Sequence, residues 1–243
     1  MDLDGVVWLG RKPIEGAAQA LRELEKAGKK LAFLTNNSTF SRRDCAKRLK
    51  KMGITTERII TSSYGAALWL KREGKARIYM IGEKGLREEL ELAGHELVKE
   101  KEAEKATHVV VGLDRGLNYN KLTAGMRAIL AGAKFVATNR DCSFPGESGL
   151  FPGAGAIVSF LEAATSRKPD VVIGKPETFL LELALEVLGS NPRETALVGD
   201  RLDTDVVAGK RMGMKTILVL TGVSKTVGKP KPDLVVKSLS ELL

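Results

Sequence analysis

The chain has 243 residues, 43% of them hydrophobic, and 39 Lys and Arg against 30 Asp and Glu give a formal net charge of +9. That apolar fraction suffices for a sizeable core and excludes a disordered chain, and no apolar run approaches the ~18 residues of a membrane-spanning helix. Cys45 and Cys142, far apart in sequence, make neither a disulfide framework nor a paired-cysteine metal site, and two His are too few for the common zinc centres.

From the N-terminus, Met1-Asp2-Leu3-Asp4 is acidic where a signal peptide is basic, so a cytoplasmic protein is expected. Pro13 opens a helix through Ile14, Ala17, Ala18, Leu21 and Leu24 that Gly28 ends. Leu31–Leu34 is too short for a helix and reads as a buried strand. Ser41 and Asp44 form a capping-box pattern for a helix stopping at Gly53. Ile59-Ile60 is a short strand, followed by a helix through Ala66, Ala67, Leu68 and Leu70.

A second series follows, with strands over Arg77–Ile81, Val109–Val111 and Phe135–Ala137 and helices over Lys84–Ala93 and Tyr119–Ala131. A Gly/Pro-rich loop, Phe144–Gly155, leads into a helix over Ala156–Ala164. Val171–Ile173, Thr195–Val198, Thr216–Leu220 and Leu234–Val236 read as strands. Glu177–Leu188 and Thr204–Met212 read as helices. His95 and His108 read as surface or turn residues, and Trp8 as a flap or core residue. Alternating strands and helices imply βαβ units and a parallel sheet. The charged or turn-rich breaks near Arg72–Ala76 and Thr165–Pro169 suggest an α/β domain interrupted by a smaller one.

In open α/β sheets, ligands bind at the carboxyl ends of strands. Four polar segments stand at such places: Asp2-Leu3-Asp4-Gly5, Thr35-Asn36-Asn37, Gly174-Lys175-Pro176 and Gly199-Asp200-Arg201-Leu202-Asp203-Thr204-Asp205. Asp2 and Asp4, two apart on an extended chain, point the same way. One can attack as a nucleophile while the other handles a proton. Carboxylates repel a phosphate dianion, and a hard cation held by Asp2 and Asp200 would cancel that repulsion; magnesium suits oxygen ligands. Thr35 offers a hydroxyl donor and Lys175 a fixed positive charge. Taken singly, these segments also read as a solvated terminus, a turn, a loop lysine and a helix cap. Together, in this order, they point to phosphoryl transfer.

These residues closely resemble the haloacid dehalogenase-like hydrolase superfamily. The motifs are Asp2-Leu3-Asp4-Gly5-Val6-Val7-Trp8, Leu34-Thr35-Asn36-Asn37-Ser38, Gly174-Lys175-Pro176 and Val198-Gly199-Asp200-Arg201-Leu202-Asp203-Thr204-Asp205. Gly149-Leu150-Phe151-Pro152-Gly153-Ala154-Gly155 and Ala137-Thr138-Asn139-Arg140-Asp141 are similar to the 4-nitrophenylphosphatase and nucleotide-phosphatase-like branch. The resemblance implies a Rossmann-like, doubly wound parallel-sheet core over 1–75 and 167–243 and an inserted α/β cap over 76–166. It implies a Mg2+-dependent phosphatase for small phosphate monoesters. Asp2 would become an aspartyl phosphate, and Asp4 would act as acid and then base. Thr35, the Asn36 amide and Lys175 would hold the phosphoryl group. The metal would sit on Asp2, the Asp4 carbonyl and Asp200, with Asp205 behind them. Asn139, Arg140 and Asp141 are candidates for cap residues near substrate, with a structural turn as the equal alternative. A cap-mediated homodimer is compatible with the resemblance.

One departure is visible. The family has a full hydrophobic strand before the Asp2 motif, where this sequence has only Met1. The expectation is that the start lies upstream or that the strand is missing.

Two rivals come from other classes. A phospho-accepting signalling domain also uses an acidic cluster, a Thr and a Lys, but it carries its acceptor well inside a shorter chain. A nucleic-acid-binding protein would use the positive charge. The densest basic cluster, Arg42, Arg43, Lys47, Arg48, Lys50 and Lys51, instead lies on a helix-like stretch with apolar Cys45, Ala46, Leu49 and Met52, which reads as a solvated face. No aromatic platform interleaves with it, so neither nucleic acid nor membrane is expected as a partner. A P-loop is excluded, since Gly222 to Lys229 is one residue too long and Pro230 follows.

Overall fold

The hydrophobic run Leu31–Leu34 and the paired Ile59-Ile60 supply strands that are buried along their length, as a parallel sheet covered on both faces requires. A computed structural model describes residues 1–146 and 149–243. It divides into two units, one of residues 1–35, 45–60 and 175–243 and the other of 36–44 and 61–174.

In the first unit, the strands Phe33–Thr35 and Ile59–Thr61 lie side by side, and Ala196–Gly199, Lys215–Val219 and Leu234–Val236 form a parallel ladder. Met1–Leu3 joins the two sets. The Leu34 amide donates to the Met1 carbonyl at 2.9 Å, and the Asp2 amide donates to the Val198 carbonyl at 2.8 Å. The short N-terminal segment therefore takes the central strand's place. Chain order runs outward from it in both directions, so the topological switch of this doubly wound sheet lies at Asp2.

The core beneath is built from Leu3, Val6, Val7, Trp8, Leu21, Phe33, Leu49, Ile54, Val198 and Val219. The helix Ala17–Lys26 buries Ala17, Ala20 and Leu21. The helix Arg42–Lys51 buries Cys45 and Leu49 beneath its basic face. Its start carries the expected capping box: the Asp44 amide donates to Ser41 Oγ at 3.3 Å, and the Ser41 amide donates to Asp44 Oδ2 at 3.5 Å.

The second unit holds a five-stranded parallel sheet in the order Val171–Val172, Lys134–Ala137, His108–Val111, Arg77–Ile81 and Glu96–Leu97. The helices Tyr119–Leu130 and Ala154–Thr165 pack on it around Tyr79, Ile81, Phe135, Ile157 and Leu161. The helix Ser62–Glu73, N-capped by Thr61 Oγ1, packs against Lys84–Leu92.

Several elements differ from the sequence reading. Residues 36–44 and 61–75, read with the core, group with the second unit, and Val171–Val172 completes that unit's sheet. The segment read as a loop after Phe144 contains a hairpin, Ser143–Gly146 with Gly149–Pro152, closed by stacked Phe144 and Phe151 rings. Prolines and glycines mask strand character when pairing is purely local. His95 and His108, read as surface or turn residues, are buried, because each lies on or beside a strand of the second sheet. The start of the helix read over Thr204–Met212 is wound more widely, as a π-turn over Leu202–Val206 that precedes Val207–Arg211. Among the described residues, no helix is long and apolar enough to cross a membrane.

Leu21 is fully buried, whereas Leu92 is 62% exposed. Leu21→Ala should cost about 2–5 kcal/mol in urea unfolding, and Leu92→Ala should stay within ~0.5 kcal/mol. Equal losses would contradict this assignment of the core.

Candidate active site

The carboxyl edge of the first unit's sheet gathers Asp2, Asp4, Thr35, Asp200 and Asp205, with Lys175 beside them. Asp2 leaves the central segment, Thr35 ends Phe33–Thr35, and Asp200 follows Ala196–Gly199. Burial is severe: Asp2, Thr35, Lys175, Asp200 and Asp205 are all buried. The Lys175 ammonium donates to Asp2 Oδ1 at 2.7 Å and to Asp205 Oδ1 at 2.6 Å. Asp205 Oδ2 also accepts the Arg201 amide at 3.1 Å, which the wide turn over Leu202–Val206 makes possible. Asp200 Oδ2 accepts the Val223 amide at 2.6 Å.

Charge does not balance in this cluster. Fully ionised, Asp2, Asp200 and Asp205 would outnumber the Lys175 ammonium by two negative charges. Burial drives the Asp2 carboxyl well above its ordinary value in spite of Lys175, and Asp205 and Asp200 add to the rise. Burial and the neighbouring Asp205 push Asp200 up to about 7. For Lys175, burial alone would favour the neutral amine, but Asp2 and Asp205 outweigh it and raise the pKa. A divalent cation would supply the missing charge. Carboxylate oxygens of Asp2, Asp200 and Asp205 lie within 4.8 Å of one another. Asp200 Oδ1 is buried with no hydrogen-bond partner, an orphan that a metal ion would satisfy. The residues present fit such an ion.

Backbone without side chains makes room for this cluster. A Cβ on Gly222 or Gly5 would collide with the Asp200 carboxylate, and one on Gly199 would collide with Asp205. Gly5 also sits at φ +82°, in the left-handed region that favours glycine. Thr221 Oγ1 donates to the Gly5 carbonyl at 2.6 Å and ties the loops together. The sequence reading missed the contribution of Thr221-Gly222-Val223. Its signal was available: the segment follows a strand at the same sheet edge.

Asp4 is held from both sides. Trp8 Nε1 donates to Asp4 Oδ1 at 3.0 Å, and Thr35 Oγ1 donates to Asp4 Oδ2 at 3.1 Å. In the second unit, Asn36 Nδ2 donates to Asp141 Oδ2 at 3.2 Å, and the buried Asn139 donates through Nδ2 to the Asn36 carbonyl at 2.7 Å. Asn36, Asn139 and Asp141 thus form one group. Arg140 does not join it, because its guanidinium is paired with both carboxylate oxygens of Glu162.

A family model described as haloacid dehalogenase-like hydrolase matches residues 1–96, and a second, HAD-hydrolase-like model matches 172–242. The chain belongs to the haloacid dehalogenase-like hydrolases. It is 40% identical to 5'-nucleotidase YutF of Bacillus subtilis, over 99% of this chain and 95% of that one. It is 36% identical to phosphoglycolate phosphatase 2 of Arabidopsis thaliana, over 100% and 90%. The p-nitrophenyl phosphatase from Archaeoglobus fulgidus superimposes with a TM-score of 0.93 at 40% identity, covering 99% of this chain and 95% of that one. This hydrolase is a phosphatase, a phosphoric monoester hydrolase.

Two outcomes check the site. Burial and Asp205 push Asp200 up to about 7 in the fold, against ~3.9 in the unfolded chain. The fold therefore holds a proton that the unfolded chain releases, and this stabilises the fold at low pH and is lost as pH rises through about 7. In chelator, Tm should fall between about pH 4 and 7 and then level off, and the Tm gained on adding a divalent cation should grow over the same range; a gain independent of pH would contradict the cluster. Gly222→Ala should weaken divalent-cation binding, measured calorimetrically, by about tenfold or more through the displaced Asp200. Unchanged affinity would remove Asp200 from the ligand set.

Proposed function

We propose that this phosphatase is magnesium-dependent and hydrolyses small phosphate monoesters through a covalent aspartyl phosphate at Asp2. The observation that carries the reading is the buried cluster of Asp2, Asp200 and Asp205, which Lys175 alone cannot neutralise. Asp2, the Asp4 backbone carbonyl and Asp200 would hold the ion, with Asp205 behind them. Bound there, magnesium would neutralise the carboxylates and the substrate's phosphoryl charge.

In this reading, an Asp2 carboxylate oxygen attacks phosphorus as the bond to the leaving oxygen breaks. Lys175 on Asp2 Oδ1 fixes the carboxylate plane. When substrate binds, the Thr35 hydroxyl would turn its single proton from Asp4 Oδ2 to a phosphoryl oxygen, beside the Asn36 amide and the Lys175 ammonium. Asp4 gives its proton to the leaving oxygen. It then takes a proton from water as that water attacks phosphorus and releases Asp2. Asp205 orients Lys175 through their 2.6 Å contact. Asn139 and Asp141 act by holding Asn36, while Arg140 remains a candidate for substrate contact on the inserted cap. The relatives carry the names of a nucleotidase and a phosphoglycolate phosphatase, which favours small phosphate esters as the substrate class; a cytoplasmic setting with neither nucleic acid nor membrane as partner belongs to the same proposal.

Release of 4-nitrophenol from 4-nitrophenyl phosphate tests the proposal. Activity should vanish in chelator and return with magnesium. Asp2→Asn, shown folded by circular dichroism, should lose at least about a thousandfold. Full activity in that variant would overturn the assignment of the nucleophile.

A further inference from the structure

Asp4 is one turn away from an aromatic residue that touches it. The amides of Val6, Val7 and Trp8 all point at the Leu3 carbonyl, and the Gly5 amide donates to the Trp8 carbonyl at 2.7 Å. This tight turn folds Trp8 back over Asp4. The indole is 2% exposed, yet its single polar atom, Nε1, is spent on Asp4 Oδ1 at 3.0 Å. A buried tryptophan needs an acceptor, and here the acceptor is the carboxylate proposed as acid and base.

The ring is itself clamped. The Arg48 guanidinium stacks over it at 3.9 Å from the ring centre, and Arg48 Nη2 donates to the Gly10 carbonyl at 2.6 Å. Arg48 belongs to the helix Arg42–Lys51, whose other face is anchored in the core by Cys45 and Leu49. A chain of contacts therefore runs from core helix to guanidinium to indole to carboxylate. Thr35 Oγ1 holds the second carboxylate oxygen, so the two donors together define the plane of the Asp4 carboxyl.

We infer that Trp8, clamped by Arg48, is a positioning residue for Asp4 and sets how well it protonates the leaving group. The inference rests on the assignment of Asp4 as the acid. Its consequence is specific to leaving-group chemistry. 4-Nitrophenolate departs readily without a proton, whereas an alkoxide needs one. Misplacing the acid should therefore penalise alkyl phosphates far more than 4-nitrophenyl phosphate.

The test compares kcat/KM for 4-nitrophenyl phosphate and glycerol phosphate in Trp8→Phe, Arg48→Met and Asp4→Asn. Trp8→Phe keeps the ring and deletes the N–H. It should lower the glycerol phosphate value about tenfold more than the 4-nitrophenyl phosphate value, through kcat rather than KM. Asp4→Asn should show the same selectivity with a larger gap, on the order of a hundredfold or more. Arg48→Met should fall between wild type and Trp8→Phe. An equal loss on both substrates in Trp8→Phe, with the gap present in Asp4→Asn, would make Trp8 a packing residue and overturn the inference. Absence of the gap in Asp4→Asn would remove Asp4 as the acid, and the inference with it. A second measurement stands if Trp8→Phe does not fold. In 15N-labelled protein the Trp8 indole resonance should move in Asp4→Ala while that of Trp69 stays, and an unmoved Trp8 resonance would overturn the contact.

Discussion

Three carboxylates and one ammonium share a buried volume at the end of the central sheet, and the imbalance of their charges governs the site. Lys175 hydrogen-bonds Asp2 and Asp205, whereas Asp200 Oδ1 has no hydrogen-bond partner. Buried carboxylates in that state are costly unless protonated or joined by a cation. The cluster is therefore built to be completed by positive charge. The same deficit suits a phosphoryl site, since an ion that neutralises the carboxylates also lets a phosphate dianion approach them.

The fold makes this deficit tolerable by spreading its supports over several elements. Met1–Leu3 lies between the two halves of the first unit's sheet, so Asp2 emerges at the switch point, where chain order reverses. Glycines at 5, 199 and 222 leave the space that the carboxylates fill. The wide turn over Leu202–Val206 aims Asp205 back at both Lys175 and the Arg201 amide. Asp4 stands apart from this electrostatic group. It is half-buried, accepts hydrogen bonds from Trp8 and Thr35, and lies within reach of the Arg48 charge.

Much of this was legible before folding, and the reasons are local. Asp2 and Asp4 share a side because extended chain has a period of two. Ser41 and Asp44 announce a helix start because a capping box satisfies its own amides. The alternation of short apolar runs with helical periods implies a parallel sheet, and strand ends then select Thr35 and Asp200, whereas Lys175 follows Val171–Val172, a strand of the second unit's sheet. The hairpin after Cys142 was not legible, since its prolines and glycines conceal pairing. Nor was the burial of His95 and His108, which depends on neighbouring strands rather than on flanking residues.

The sequence by itself determined the chemistry: which acids, hydroxyl and lysine are available, in what order, and after which strands. Tertiary structure decided their relations. Lys175 lies far along the chain from Asp2, and only the packed sheet brings its ammonium to 2.7 Å and makes it bridge Asp205 as well. Only the packed helix carrying Arg48 turns Trp8 from a core residue into a donor held against Asp4. Residue type and local period are written in neighbouring positions. Distances between distant segments, and the burial that gives charge its strength, arise only when the whole chain closes around them.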